Sequence, residues 1–534
     1  MELDAIVVGA GFAGLYALHR LRSQGLTARV LEAAEDIGGT WYWNRYPGAR
    51  CDVESLQYSY QFDPQLEQDW AWSERYAAQP EILAYLNHVA DRYDLRRDIR
   101  LDTRVEAASF DEAAGRWRVR TSDGAEASAR WLVMATGCLS RPNKPSVEGL
   151  ERFQGRVLHT GEWPHEGVDL AGLTVGVVGT GSSAVQAIPM IAREARRLVV
   201  FQRTATYTVP ARNRPLAPEE QGRVKADYRG YRANWNSQPA AADFDIQPVS
   251  VFEVSPEQRR AAFEQRWAYG GAKFGGVFND LGVTLEANQI AADYVRGKIA
   301  EIVTDPATAE RLTPRHTFAC KRLCFDTDYY ATFNRPNVEL VDVKADPIAR
   351  FDAAGLVTAS GARFELDAVV FATGFDAMTG SLNAIDIRGR HGELLKDAWA
   401  AGPRSYLGLM IAGFPNLFTV SGPGSPSVLT NMVPSIEQHV EWIARCIADV
   451  DARGGGTIEA SPEAQDAWVD EVNALAAGTL FPTCNSWYLG ANVPGKPRVF
   501  MPYVGGFPAY RERCEAVAAN GYEGFLLGRA LAEA

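Results

Sequence analysis

Two glycine-rich turns, Gly9-Ala-Gly11-Phe-Ala-Gly14 and Gly179-Thr-Gly181-Ser-Ser-Ala184, each follow an apolar run and open a helix-like stretch. In such a turn the first glycine permits the tight bend and the second lets backbone N–H groups approach a pyrophosphate. The third lets helix and strand pack closely. Ala184 replaces the third glycine of the second turn, a substitution the pattern tolerates. The two turns differ in the residue that ends the next strand. Glu32 follows the first, and a carboxylate there accepts hydrogen bonds from ribose hydroxyls. Arg203 follows the second, where a guanidinium suits a 2′-phosphate. The chain is therefore expected to hold two dinucleotides, the second of them NADPH rather than NADH.

The elements that position these turns are readable around them. Residues 3–8 form a continuous apolar run, Leu15, Leu18 and Leu21 follow at near-helical spacing until Gly25, and residues 28–32 make the next strand, a complete βαβ opening. Trp131 to Ala135, running into Thr136-Gly137, reads as a later strand of the same sheet. Pro142 and Pro145 mark a crossing to a second βαβ unit, with strands at 173–178 and 198–202 and a helix from Ser182 to Arg197 in which Pro189 predicts a break or kink. From about Pro215 to Thr313 strand-like runs give way to charged or Ala-rich helical stretches, including Pro256 to Tyr269 and Glu286 to Ile302. Strands return at 338–343 and 368–372, the latter entering Ala372-Thr373-Gly374, and the simplest topology sends them back to the first sheet. The expected architecture is α/β: two Rossmann-like dinucleotide-binding domains with an all-helical insertion. The boundaries are 1–145 with 370–534 for a discontinuous first domain, 150–214 with 315–366 for the second, and 215–314 for the insertion.

A chain of 534 residues exceeds one ordinary core, and 46% hydrophobic residues indicate a folded protein. The net charge of −12 argues against a general nucleic-acid or anionic-membrane binder, so any anionic ligand must meet local positive charge. No apolar stretch approaches the ~18 residues that cross a bilayer. Seven scattered cysteines without a CxxC pair fit a reducing cytoplasm better than a disulfide framework, and they exclude the redox pair of a disulfide reductase. Cys320 and Cys324 could share one helical face, with plain packing as the simpler reading. The expected protein is cytoplasmic, a monomer or weak oligomer, with no nucleic-acid or membrane partner.

Between the two units lies Phe153-Gln-Gly155-Arg-Val-Leu-His159-Thr-Gly-Glu-Trp163-Pro164. This resembles the FxGxxxHxxxWP fingerprint of type I Baeyer–Villiger monooxygenases, with every fixed position matched. A second family pattern is complete in Gly38-Gly39-Thr40-Trp41, Tyr46-Pro47-Gly48 and Asp52, and the likeness extends through Lys321-Arg322, Ala372-Thr373-Gly374-Phe375-Asp376 and Ser486-Trp487-Tyr488. Related N- and S-oxygenating flavin monooxygenases share the Rossmann units but generally lack the Trp-Pro ending; they are the alternative, together with a plain NADPH oxidase. Within the family the chain is more similar to the phenylacetone monooxygenases than to the cyclohexanone monooxygenases.

The resemblance implies that NADPH reduces FAD, that O2 then forms a C4a-peroxyflavin, and that its attack on a ketone gives a tetrahedral adduct and an ester or lactone. NADP+ is retained during oxygenation. Arg322 takes the position of the catalytic arginine, with Asp52 orienting it. Gly9, Gly11, Gly14, Glu32, Thr40, Trp41, Tyr46, Asp52, Tyr58, Val105 and Met432 are assigned to FAD; Trp41, Tyr46 and Tyr58 would stack against or bond to the flavin. Arg50, Cys51, Gly179, Thr180, Gly181, Ser182, Ser183, Gln186, Arg203, Thr204, Lys321, Arg322 and Trp487 are assigned to NADP. Lys321 is expected beside Arg203, and Trp487 on a Gly- and Pro-rich loop that closes on the nicotinamide. His159 is expected to fix the linker rather than to act as a base. The stretch from Ser425 to Ser435 would shape the substrate pocket through Val428, Leu429, Thr430 and Met432, and aryl, linear and cyclic ketones all remain open.

Overall fold

The computed structural model describes residues 2–528. Glu2–Val8 is the inner strand of an eight-stranded sheet, pairing in parallel with Ala28–Leu31 on one side and Glu126–Met134 on the other. Ala5 to Val8 are all buried, as a strand covered on both faces requires. Helix Phe12–Ser23 makes the crossover and turns Leu15, Leu18 and Leu21 into the core. Ile99–Arg100 extends one edge, and Arg116–Thr121, Val105–Asp111 and Asp386–Arg388 extend the other.

A second sheet is built of parallel strands in the order Val338–Asp342, Arg197–Gln202, Thr174–Val178, Ala368–Phe371, Arg156–His159. The strands expected to return to the first sheet therefore join the second. Ala368–Phe371 is buried along its whole length, so it needs a neighbour on each edge and cover on each face. It finds them by inserting between Thr174–Val178 and Arg156–His159, with Val370 opposite both Val177 and Leu158. The chain re-enters the first sheet through two three-residue strands, Asp386–Arg388 and Leu417–Thr419. These are too short to announce themselves as apolar runs. Residues 368–371 thus lie with the second unit, not with a first-domain segment beginning at 370. An antiparallel meander, Ile348–Asp352, Gly355–Thr358 and Arg363–Glu365, packs Phe351 against Phe201 and Phe371 of the second sheet.

The helix after the second turn, Ser182–Glu194, continues through Pro189 and stops before Arg197, which opens the next strand. A proline removes one hydrogen bond from a helix interior. Here Val185, Ile188, Ile191 and Ala192 are fully buried on the sheet and hold the backbone helical across it.

Between 215 and 314 the described residues form helices and turns without a strand. The starts are marked in the sequence: Asp227, Ser255, Thr284 and Asp305 each accept a backbone N–H with their side chains, and Pro256 and Pro306 occupy first turns. Phe263, Phe274, Phe278 and Val295 form a core shared with Phe318. No helix among the described residues is long and apolar enough to cross a membrane.

One cysteine expectation is overturned. Cys320 and Cys484, separated by 164 residues, are disulfide-bonded, and Cys51, Cys138, Cys324, Cys446 and Cys514 are free and buried. Cys324 lies on the strand Cys324–Asp326, so it shares no helical face with Cys320.

Candidate active site

The two glycine turns sit where each sheet reverses its strand order, the place at which doubly wound sheets open a crevice. They are built alike. Gly9 has φ +103°, and a Cβ there would lie 2.6 Å from the carbonyl oxygen of Ala135; Gly179 has φ +113°, and its Cβ would lie 2.6 Å from that of Ala372. Each first glycine thus abuts the alanine of an Ala-Thr-Gly turn on the neighbouring strand. Helices Phe12–Ser23 and Ser182–Glu194 start directly behind, presenting unpaired N–H groups. These cradles fit two pyrophosphates. Gly9→Ala combines a backbone clash with a left-handed φ and should cost about 1–3 kcal/mol of stability. It should also yield protein depleted in flavin, checked by the ratio of visible to protein absorbance; full flavin content and an unchanged melting temperature would contradict this account.

Glu32 is buried, with Oε2 accepting from the N–H of Ala10 at 2.6 Å and Oε1 from that of Ala34 at 2.8 Å. Burial raises its pKa while these bonds oppose the rise. The carboxylate is thereby fixed beside the first turn. The N–H of Thr103 bonds the Glu32 carbonyl, which brings the strand that begins at Val105 to the same end of the sheet.

At the second turn, the Thr180 hydroxyl donates to the Thr204 carbonyl at 2.7 Å, tying the turn to the end of Arg197–Gln202. Arg203 is exposed there and forms no hydrogen bond or ion pair with any described residue. Lys321 comes from the far side of the helical insertion, and its pKa is lowered by burial and then by the Arg203 charge nearby. Two cations held together without a carboxylate between them fit a phosphate.

The strap from Gly38 to Asp52 joins the units. The Trp41 indole donates to the Tyr58 hydroxyl at 3.2 Å, and both rings are buried in the first unit. The Tyr46 hydroxyl donates to Gln186 Oε1 at 2.7 Å and its ring packs in the core of the second unit, which makes it a joint between the units. The Arg50 guanidinium pairs with Glu74 at 3.0 Å and the Tyr76 carbonyl, while its own carbonyl accepts from Gln186 Nε2 at 3.1 Å. Gln186 thus ties the strap to helix Ser182–Glu194. The Cys51 thiol is buried, which raises its pKa. Thr40 and Ser182 are exposed at the starts of their helices, and Ser182 approaches the Cys324 sulfur at 3.3 Å.

Arg322 and Asp52 meet as expected. Asp52 Oδ2 accepts from Arg322 Nε at 2.9 Å and from Nη2 at 2.7 Å. Arg322 Nη1 donates to the carbonyl of Val428. Burial alone would lower the arginine's pKa, but the charge of Asp52 and contacts with Asp52 and Tyr488 hold it well above the ordinary value. The guanidinium is fixed in place and permanently cationic. Tyr488 and the Val428 carbonyl are the functional groups the sequence did not reveal.

Arg322, Asp52 and Lys321 lie on the wall of a cavity of about 410 Å³. Phe244, Phe278, Leu281 and Phe318 give it an apolar side, and Leu429 and Thr430 line it as expected. Val428 does not: its side chain is buried against Met378 and Tyr488, and its contribution is its carbonyl. Met432 is half-buried at the start of helix Met432–Ala452, packed against the first unit's core. Trp487 is half-buried in a single 3₁₀ turn, its ring 4.2 Å from that of Tyr488. His159 accepts from the N–H of Gly161 on Nδ1 at 3.0 Å and meets the Thr373 hydroxyl through Nε2 at 3.2 Å, and Thr373 in turn donates to the Asn143 carbonyl. It is tied to the crossing segment, and burial lowers its pKa and keeps it neutral.

Fold and site together define a two-dinucleotide flavoprotein with a fixed cation on the wall of a largely apolar cavity. Residues 6–239 match the family described as pyridine nucleotide-disulphide oxidoreductase. The chain is 46% identical to a Baeyer–Villiger monooxygenase of Pseudooceanicola batsensis over 99% of its length and 97% of the relative's. It is 44% identical to a phenazine N-monooxygenase of Lysobacter antibioticus over 98% and 97%. A solved steroid monooxygenase bound to NADP superposes with a TM-score of 0.95 at 54% identity, covering 99% of this chain and all of that one. The protein belongs to the Baeyer–Villiger monooxygenases, enzymes that use FAD, NADPH and O2 to insert one oxygen atom beside a ketone carbonyl.

Proposed function

We propose that the ketone enters the 410 Å³ cavity and places its carbonyl oxygen on the open side of Arg322. When bound, NADPH supplies the hydride and FAD the activation of O2; this chain's residues orient, charge and dry the site. Arg322 stabilises the negative charge that develops on the ketone oxygen, a task suited to a cation fixed before the reaction begins. Asp52 and the Val428 carbonyl hold the guanidinium plane, and Tyr488 packs its remaining edge. Arg203, Lys321 and Thr204 are assigned to the 2′-phosphate, and Glu32 to the ribose of FAD. The observation that carries this reading is the Arg322–Asp52 pair in the wall of an otherwise largely apolar cavity.

The cavity's size suits a drug-sized ligand. With the steroid monooxygenase sharing 54% of its residues with this chain, bulky cyclic and aryl ketones rank ahead of short ones. A panel of short-chain, cyclic, aryl and polycyclic ketones should give an ester or lactone in a 1:1 ratio to NADPH consumed. NADPH consumption with hydrogen peroxide release and no ester from any ketone would sink the proposal. The likeness to a phenazine N-monooxygenase supports N-oxygenation as a second reading, so a heteroaromatic amine belongs in the same panel. Its N-oxide, formed faster than any ester, would favour that reading. We infer a cytoplasmic monomer or weak oligomer, a reading supported by the free thiols at five of the seven cysteines and by dependence on NADPH.

A further inference from the structure

The Cys320–Cys484 bond stands between the parts of the site that must release one nucleotide and admit another. Cys320 immediately precedes Lys321 and Arg322 and lines the cavity. Cys484 shortly precedes Trp487 and Tyr488, on a loop whose Thr479, Leu480, Phe481 and Tyr488 face the cavity. Tyr488 touches Arg322. The bond and this contact close a short ring, through Lys321 and Arg322 on one side and Ser486 to Tyr488 on the other.

Around the ring, single hydrogen bonds join the two segments. Leu480 N–H donates to the Gly282 carbonyl at 2.9 Å, and the Thr483 and Thr317 hydroxyls meet at 3.1 Å. The far end of the loop is fixed to the first unit: Asn492 donates to the Phe375 carbonyl at 2.7 Å and Lys496 pairs with Asp376 at 2.6 Å. Among the described residues the disulfide is therefore the only covalent tie, other than the main chain, between the segment carrying Lys321 and Arg322 and a loop anchored on the flavin side.

We propose that this pair is a reversible redox latch on the nucleotide cleft. As the disulfide it holds Trp487 and Tyr488 against Arg322 and slows exchange of NADP+; as two thiols it frees the loop to open. The oxidant is hydrogen peroxide, formed whenever NADPH and O2 react without oxygenating a ketone, and Cys320 lies on the wall of the cavity through which it leaves. The sulfur–sulfur bond forms as the peroxide O–O bond breaks: two thiols give up two electrons and two protons, and two waters result. A small dithiol reverses the step by exchange. This inference rests on the placement of NADP proposed above.

The test uses FAD-loaded enzyme treated with a few equivalents of hydrogen peroxide or with a dithiol reductant, followed by peptide mapping without reduction and by stopped-flow release of NADP+. Peroxide should give a Cys320–Cys484 cross-linked peptide and release about tenfold slower than the reduced enzyme, because a cross-link removes open arrangements of the loop. Cys484→Ser should release NADP+ at the reduced rate whatever its treatment. No cross-linked peptide, equal release from both wild-type forms, or equal slowing of Cys484→Ser by peroxide would each overturn the latch. The wild-type comparison needs no substitution, so it stands if the variant folds poorly. Loss of NADPH selectivity in Arg203→Ala fixes the nucleotide's position separately, so failure of the latch is distinguishable from misplacement of NADP.

Discussion

Arg322→Ala, assayed at saturating NADPH with a good ketone, should form ester about 10²–10³-fold more slowly than wild type, the range seen when one fixed group that stabilises developing negative charge is removed. NADPH oxidation should persist and appear as hydrogen peroxide, because the hydride path does not pass through the guanidinium. The divergence between these two rates is the diagnostic result. Removing Arg322 also strands Asp52 beside the Val428 carbonyl, two acceptors without a donor, so the cavity then repels the charge it must stabilise. Arg322→Lys should recover little. An ammonium is a point donor that cannot span the Asp52 oxygen, on which Nε and Nη2 converge, and the Val428 carbonyl, so it would leave part of the clamp empty. Ester formation by Arg322→Ala at the normal rate would remove the arginine from the mechanism.

Arg203→Ala should lower kcat/KM for NADPH by roughly 30–150-fold, corresponding to about 2–3 kcal/mol for charge-assisted hydrogen bonds to one phosphate, and should change the value for NADH little. The difference between the two nucleotides matters more than either number. An equal loss for both would mean that Arg203 supports the fold of the turn and not the phosphate. Lys321→Ala should shift the same selectivity less. Lys321 is half-buried and its charge is disfavoured by burial and by Arg203. A bound phosphate relieves that repulsion, so the two substitutions should be non-additive when combined.

Much of this site was legible because its chemistry needs particular side chains at fixed points of βαβ units. Gly9, Glu32, Gly179 and Arg203 lie where strand, turn and helix oblige them to be, and Arg322 and Asp52 stand in family patterns that survive as short words. What was not legible lies in packing between distant segments. The Val428 carbonyl has no side-chain signature, since any residue could supply it. The bonds of Tyr46 and Arg50 to Gln186 are absent from the strap's pattern, because their partner lies far along the chain. Ala368–Phe371 was sent to the wrong sheet because an apolar run records that it is interior, not in which sheet. The pairing of Cys320 with Cys484 depends on two segments 164 residues apart meeting in space, and spacing carries no trace of that.

The knot of Tyr46, Gln186 and Arg50 has a mechanical meaning. Asp52 sits just beyond a strap bonded to helix Ser182–Glu194, while Arg322 leads into Cys324–Asp326, whose partner strand Thr208–Pro210 follows on from Arg197–Gln202 of the same unit. Carboxylate and guanidinium nevertheless draw on both units, for the N–H of Cys51 bonds the Ala77 carbonyl of the first core and Arg322 bonds the Val428 carbonyl. The positive charge is therefore held at the seam, and its aim registers how the two halves are set against each other.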